Sequence, residues 1–365
     1  MKNYPEILDA FDLPGGERLA VPFGNGHINS TFMVRIEGTD QQYILQRINS
    51  YVFIHPKDVM ENIQRVTEFL RGKITESGGN PDRETITLVP ARSGEAYAED
   101  AEGQVWRVML FVPDTFSPEL PDNLNILQEC GSAFGRFARL LDDFPASSLH
   151  ETIHAFHDTP ARLHQLEEAV QNDSAHHLKE VTDELAFARS LASETRILTD
   201  ALAAGKLPLR VTHNDTKVNN VLLDKHTEKA VCVIDLDTVM PGLLAYDFGD
   251  AIRVGACSAA EDEQDLDLIH LELPKYRAFV RGFLSELKGM LSRDELLSLE
   301  AGARIMTLEN GLRFLADHLN GDVYFKIHRP GQNLDRARAQ FALYRDMDRH
   351  RDEMISILME EYGLS

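Results

Sequence analysis

The hydrophobic pattern of this chain changes period once, near Val112-Pro113, and that change restricts the fold more than any other feature. Upstream, short β-branched and aromatic runs alternate with turn residues: RLAVPF from Arg18, TFMVRIE from Thr31, QYILQRI from Gln42, TITLVPAR from Thr85, then AYAE and QVWRVMLFV around Glu102-Gly103. Runs of this kind, with Gly38-Thr39-Asp40 between two of them, predict an antiparallel, hairpin-rich sheet. One segment breaks the pattern: behind Pro56, Val59, Ile63, Val66, Phe69 and Leu70 recur at helical spacing, which predicts one helix packed on the sheet. Downstream the segments are long and amphipathic, from Leu124 to Phe144, over 178–204, over 293–319 and over 334–361. Only LPLRVT, NVLL and KAVCVID, between 207 and 235, read there as strands. The expectation is an α+β chain of two lobes, a sheet lobe over 1–112 and a mostly helical lobe over 113–365, without internal repeats.

The three downstream strands enclose the densest polar segment, Thr212-His213-Asn214-Asp215-Thr216-Lys217-Val218-Asn219-Asn220, followed by Val233-Ile234-Asp235-Leu236-Asp237. Phosphoryl transfer asks for this kind of arrangement. A carboxylate must accept a hydroxyl proton, and oxygen ligands must hold magnesium across the phosphates, because positioning and electrostatics supply nearly all the catalysis. Asp215 suits the first role, and Asn220 and Asp235 the second, since two strand ends joined by a short turn lie side by side. Each residue alone is also a common turn former, so the reading rests on their combination between apolar strands. His213 is expected to brace the loop, because Asp215 already supplies a carboxylate.

Upstream, Phe23-Gly24-Asn25-Gly26-His27-Ile28-Asn29-Ser30-Thr31 lies between two strands, where a glycine hairpin can fold over phosphates and offer backbone N–H groups. Phe111 and Val112 end the last strand of the sheet lobe, as a connector whose backbone and side chains take adenine or as a plain linker. Trp106, the single tryptophan, is expected in the sheet core. Asp247-Phe248-Gly249-Asp250 invites assignment as a magnesium triplet. Asp235 ends the strand returning from the polar loop, however, so Asp247 and Asp250 are expected to cap a helix and brace that loop.

Charge excludes some partners. With 37 Lys+Arg against 59 Asp+Glu the formal net charge is −22, which repels nucleic acid and anionic lipid. A nucleotide site would therefore need divalent metal and local donors. No apolar run is long enough to span a bilayer and no leader pattern opens the chain, so a soluble, cytoplasmic protein is expected. Cys130, Cys232 and Cys257 are widely spaced and odd in number, as reduced thiols would be.

Together, the polar loop, the glycine hairpin and the order of the lobes resemble the aminoglycoside phosphotransferase and choline kinase superfamily, whose fold is protein-kinase-like. More closely, the strings GNGHIN, YILQRIN, FHDTPARL, THNDTKVNN, IDLDTVMPG, DFGDAIR and LRFLADHLNGDVYF are similar to those of N-acetylhexosamine 1-kinases across nearly the whole chain. The resemblance implies ATP, magnesium and a sugar phosphorylated at C1. It marks Asp215 as base, Asn220 and Asp235 as metal ligands, and Asp215, Asp235, Arg313 and Tyr324 as substrate contacts. It implies nucleotide contacts at Gly24, Asn25, Gly26, His27, Asn29, Thr31, Gln46, Phe111 and Val112. Arg313 also lies four residues from both Glu309 and Asp317, the spacing of an ion-pair ladder on a helix surface. The chain departs from the superfamily at Gln46, where a phosphate-contacting lysine is the rule, and neither Glu61 nor Glu68 is assigned as partner on the helix. Other acceptors (choline, a methylthio sugar, homoserine, an aminoglycoside), a non-catalytic nucleotide-binding module, and a metal-dependent hydrolase using His213, Asp215, Asp235 and Asp237 are the competing readings. Preference between GlcNAc and GalNAc and the oligomeric state stay open.

Overall fold

A computed structural model describes residues 4–24, 28–119 and 123–364. In chain order its elements are α1 (Pro5–Asp9), β1 (Arg18–Pro22), β2 (Ser30–Ile36), β3 (Gln42–Arg47), α2 (Pro56–Glu76), α3 (Pro81–Glu84), β4 (Leu88–Val89), β5 (Ala98–Glu99), β6 (Val105–Leu110) and β7 (Thr115–Phe116). There follow α4 (Leu124–Leu140), α5 (Thr159–Asn172), α6 (Thr182–Ser190), α7 (Ile197–Ala203), β8 (Arg210–Thr212), β9 (Val221–Asp224), β10 (Ala230–Val233), β11 (Met240–Gly242), α8 (Leu244–Gly255), α9 (Leu273–Glu286), α10 (Arg293–Leu319), α11 (Gln332–Arg349) and α12 (Arg351–Tyr362).

The chain forms two compact units, neither of them one unbroken stretch: Met1–Ser117 with Leu140–His154 and Asn220–Pro241, and Pro118–Arg139 with Ala155–Asn219 and Gly242–Ser365. The first unit holds the antiparallel sheet, in the order β1-β2-β3-β6-β4 with β5 also on β6. Alternation along the strands buries Ala20, Val34, Ile36, Leu45 and Val108 in one core with Leu8 and Phe11. Trp106 joins that core, as expected, and satisfies its indole N–H on the Asp100 carboxylate at 2.7 Å. TITLVPAR keeps only Leu88–Val89 as strand, because Pro90 has no N–H for the ladder. A second, smaller sheet of the same unit has the order β10-β9-β7. The helix α2 buries Val59, Ile63, Val66 and Leu70. It also buries Asn62, whose side chain donates to the carbonyls of His150 and Val239 at 2.8 and 2.9 Å and accepts the His150 N–H at 2.9 Å.

The second unit is helical around α10, which starts at a full capping box between Ser292 and Glu295 and is buried on nearly every face. Its helix neighbours include α5, α8 and α11. Against α8 the approach is glycine-mediated: a Cβ on Gly302 would collide with the Ala245 carbonyl oxygen, and one on Gly249 with the Gly302 carbonyl oxygen. The segment 178–204 is two short helices separated by a 3₁₀ turn at Glu194–Arg196, and 334–361 breaks at His350. Among the described residues, no helix is long and apolar enough to cross a membrane.

Candidate active site

In the second unit, β8 delivers the polar loop and several buried groups then fix its backbone. The Asp247 carboxylate, in the first turn of α8, accepts the N–H of His213 at 2.8 Å and of Asn214 at 2.7 Å. Burial pushes the Asp247 carboxyl above its usual range, against His213 and these two N–H donors. Asp247 thus braces the loop, as expected, although the capping position of α8 is Leu243. Asn214 takes a left-handed conformation (φ 63°), which an asparagine tolerates at a sharp turn. His157 reaches the Asn214 carbonyl at 3.4 Å through Nε2 and the buried Glu309 carboxylate at 2.9 Å through Nδ1. His213 is fully buried and meets the rings of Phe134 and Phe137 edge-on, while its Nδ1 accepts the Asp215 N–H at 3.3 Å.

Asp215 itself is partly exposed, with Lys217 Nζ 2.9 Å from its carboxylate. Burial raises its pKa, but Lys217, then His213 and Arg253, outweigh that and leave it below the ordinary aspartate value. The carboxylate is therefore ionised at neutral pH. Asp250 is committed to Arg253 at 2.9 Å, and Arg253 also reaches Glu261 at 2.6 Å. Farther along α10, the Arg313 guanidinium lies over three rings, Phe156 at 5.5 Å, Phe325 at 5.3 Å and Tyr324 at 5.9 Å. The ion-pair ladder on this helix does not form. Glu309 is buried on His157 and Thr159, and Asp317 accepts the backbone N–H groups of Val323, Tyr324 and Phe325. Tyr324 is thus held at its backbone while its side chain stays exposed.

In the first unit, the hairpin of β9 and β10 sets Asn220 beside Asp235. Val221 pairs with Val233, and the Ile234 N–H donates to the Asn220 carbonyl at 2.9 Å. Asp235 is left-handed (φ 63°) and turns the chain into a short 3₁₀ segment, Leu236–Thr238. Asp237 in that segment is buried, accepts from Asn29 Nδ2, and forms an ion pair with the equally buried Arg107. The other two guanidinium nitrogens of Arg107 donate to Gln46 Oε1 at 2.9 and 2.6 Å, and Gln46 Nε2 donates to Thr31 at 2.9 Å. Asn29 further accepts the Asn49 N–H at 3.0 Å. Gln46 and Arg107 are cross-strand partners on β3 and β6. The cation at this place in the sheet is therefore Arg107, one strand over from Gln46. The α2 glutamates lie elsewhere, Glu68 accepting from Gln64 and Glu61 3.0 Å from His150.

Of the other expected positions, Gly24 is left-handed (φ 75°) at the hairpin closed by the Phe23 N–H on the Thr31 carbonyl. Asn25, Gly26 and His27 lie outside the described residues. Phe111 follows β6, donates its N–H to the Gln42 carbonyl at 3.0 Å and meets Phe23 edge-on, and the Val112 side chain is buried. Sequence reading missed Arg107, Asn62 and His157. The first had a signal, an arginine in the middle of an otherwise apolar strand.

The sheet lobe, the helical lobe and the loop order define a kinase-like fold. A model of the phosphotransferase enzyme family (APH) matches residues 20–283, and the chain belongs to that family. Solved structures agree on the fold. An aminoglycoside phosphotransferase from Alicyclobacillus acidocaldarius aligns at TM-score 0.60 and 14% identity over 98% of this chain and 96% of its own. A choline kinase from Cryptosporidium parvum aligns at 0.56 and 14% over 95% and 93%. A spectinomycin phosphotransferase, solved with ADP and spectinomycin, aligns at 0.50 and 12% over 94% and 92%.

Proposed function

We propose that this phosphotransferase moves the γ-phosphoryl of ATP onto the anomeric hydroxyl of an N-acetylhexosamine, GlcNAc or GalNAc. The observation that carries the transfer is Asp215, an ionised carboxylate on a loop whose preceding two N–H groups are both held by Asp247. As the sugar C1 oxygen attacks the γ-phosphorus in line, Asp215 takes the hydroxyl proton, the bond to the β-γ bridging oxygen breaks and ADP leaves. Nucleotide use is in keeping with the ADP complex of the spectinomycin phosphotransferase.

Asn220 and Asp235 offer an amide and a carboxylate oxygen on adjacent ends of one hairpin, a donor set that fits magnesium. When bound, the metal supplies charge neutralisation on the phosphates. Arg107 acts on the same turn without contacting phosphate in this reading. It ties Asp237, two residues past Asp235, to the sheet. Gly24, Asn29, Thr31, Phe111 and Val112 are assigned to the nucleotide, as are Asn25, Gly26 and His27 from the sequence, with Gln46 as the neutral side chain that shares Arg107. Arg313 and Tyr324 are assigned to sugar hydroxyls, the guanidinium offering a fixed fork of donors beside an exposed phenol. The sheet and helical lobes are proposed to divide near residue 112 in chain order.

The test is a panel of GlcNAc, GalNAc, other hexoses, choline, homoserine and an aminoglycoside with ATP and magnesium, read by ³¹P NMR. A sugar 1-phosphate supports the proposal. A product phosphorylated only on choline or an aminoglycoside replaces the acceptor and leaves the transfer intact. Asp215→Asn should lower kcat by about 10²–10⁴-fold with folding unchanged, and an unchanged rate removes Asp215 as base.

A further inference from the structure

Away from the residues assigned to catalysis, the last turn of α10 meets the turn that follows α5. Leu319 accepts the Ala175 N–H at 3.2 Å, and Asp173 accepts the Leu178 N–H at 3.1 Å, so this turn is docked on the helix end. It brings His177 over His318, the two imidazoles stacked at 4.5 Å between centroids and 25° between planes. Glu180 follows three residues after His177 through a 3₁₀ turn, the spacing at which side chains eclipse, and its carboxylate lies 3.3 Å from His177 Nδ1. The Glu180 carbonyl accepts from Arg338, whose Nε is held by Glu184.

The decisive residue is His318. It is only 2% exposed, and among the described residues neither ring nitrogen has a hydrogen-bond partner. A buried imidazole left this way is costly, because the hydrogen bonds it gave up to water are not replaced. One ligand atom from each of His177, Glu180 and His318 lies within 4.8 Å of the others. Bonds of about 2.0–2.2 Å to a tetrahedral metal put ligand atoms about 3.3–3.6 Å apart; because an imidazole lone pair lies in its ring plane, the His177 ring turns out of the stack to close the set, so the ion replaces the ring contact.

We propose that His177, Glu180 and His318 form a binding site for a borderline divalent transition metal, of the zinc, cobalt or nickel kind, separate from the magnesium proposed at Asn220 and Asp235. Two imidazoles and one carboxylate favour such ions over magnesium, which prefers oxygen alone. Three protein ligands leave at least one position to water, and Glu180, largely exposed, faces the solvent from which the ion enters. The metal satisfies His318 and fastens the 173–180 segment to the end of α10. Next to His318 on that helix is Asp317, which collects the backbone of the segment carrying Tyr324. The site is thus structural.

The test uses the untagged full chain, freed of metal with a chelator and titrated with cobalt(II) chloride by visible absorption and with zinc chloride by calorimetry. One equivalent should bind at this site, with the ligand-field bands of a four- or five-coordinate cobalt site and a higher Tm, and excess magnesium chloride should not displace it. His177→Ala and Glu180→Gln change a half-buried and an exposed side chain and should fold; each should weaken binding at least about tenfold, the scale on which even an outer partner's loss registers. Asp235→Asn should bind as the wild type does. Absence of cobalt bands, absence of binding heat on adding zinc chloride, binding unchanged in both His177→Ala and Glu180→Gln, or binding lost in Asp235→Asn overturns the proposal.

Discussion

Removing Arg107 tests whether the sheet positions the turn that bears Asp235. The guanidinium and the Asp237 carboxylate are 3% and 4% exposed, so Arg107→Met leaves an uncompensated carboxylate in the interior. Loss of one partner of a buried pair costs about 3–5 kcal/mol. Gln46 loses both donors to its carbonyl at once, so the upper half of that range is expected. Asp237→Asn reverses the imbalance, leaving the guanidinium on two neutral carbonyls. Arg107→Met/Asp237→Asn removes both charges and should cost less than the sum of the single changes by about 1–3 kcal/mol, the coupling typical of contacting residues. Arg107→Lys keeps the charge but lacks the fork that spans Gln46 and Asp237, so it should rescue only part of the loss. Urea unfolding of the wild type and the three variants of the cycle supplies the number. If the turn follows the pair, kcat at saturating ATP falls in Arg107→Met and recovers in part in Arg107→Lys. A coupling energy below about 0.5 kcal/mol refutes the reasoning, because two buried charges in contact cannot then be what holds the turn.

Two further outcomes follow from the same physical arguments. Asp224 caps the β9–β10 turn, accepting from the His226 and Thr227 N–H groups, and pairs with Arg83; the backbone donors, first of all, hold its pKa at about 2. Its folded pKa lies below the unfolded value, so its contribution is present above about pH 4 and is lost as pH falls from about 4 to 2. Stability measured against pH should therefore be shallower over that window in Asp224→Asn, and parallel profiles would show that Asp224 does not govern it. Gly302→Ala drives a methyl into the Ala245 carbonyl on α8, the helix that carries Asp247. It should cost about 1–3 kcal/mol in urea unfolding and lower kcat as the loop brace shifts, whereas a stable, fully active variant would show that α8 has room to move.

Local pattern made α10 readable almost to the residue, because its start is a Ser-x-x-Glu capping box and its length exceeds any ambiguity of period. The break at His350 was hidden, since Arg349-His350-Arg351 holds neither glycine nor proline and reads as continuous helix. Within the site, the adjacency of Asn220 and Asp235 was legible because a short hairpin fixes it locally. The partnership of Gln46, Arg107 and Asp237 was not, because it depends on which strands of the sheet are neighbours, and sequence order does not give β3 next to β6. Glu309 misled for a related reason. Four residues from Arg313 it has the spacing of a surface pair, yet α10 is buried all round, and a carboxylate there must find partners from other elements, as it does in His157 and Thr159.

The first unit is assembled from three separated stretches, and this bears on the order in which a ribosome can complete it. Thr115 and Phe116 find their strand partners only at Asp224 and Leu223. At about 5–20 residues per second, β7 waits several seconds or more for β9 to be made, and Arg107 waits still longer for Asp237. A nascent chain that has finished the five-stranded path of the larger sheet therefore still carries a buried-type arginine without its counter-charge. The last step in maturing the first unit is the arrival of the Asp235–Asp237 turn, so the sheet lobe and the proposed metal-binding residues become complete together.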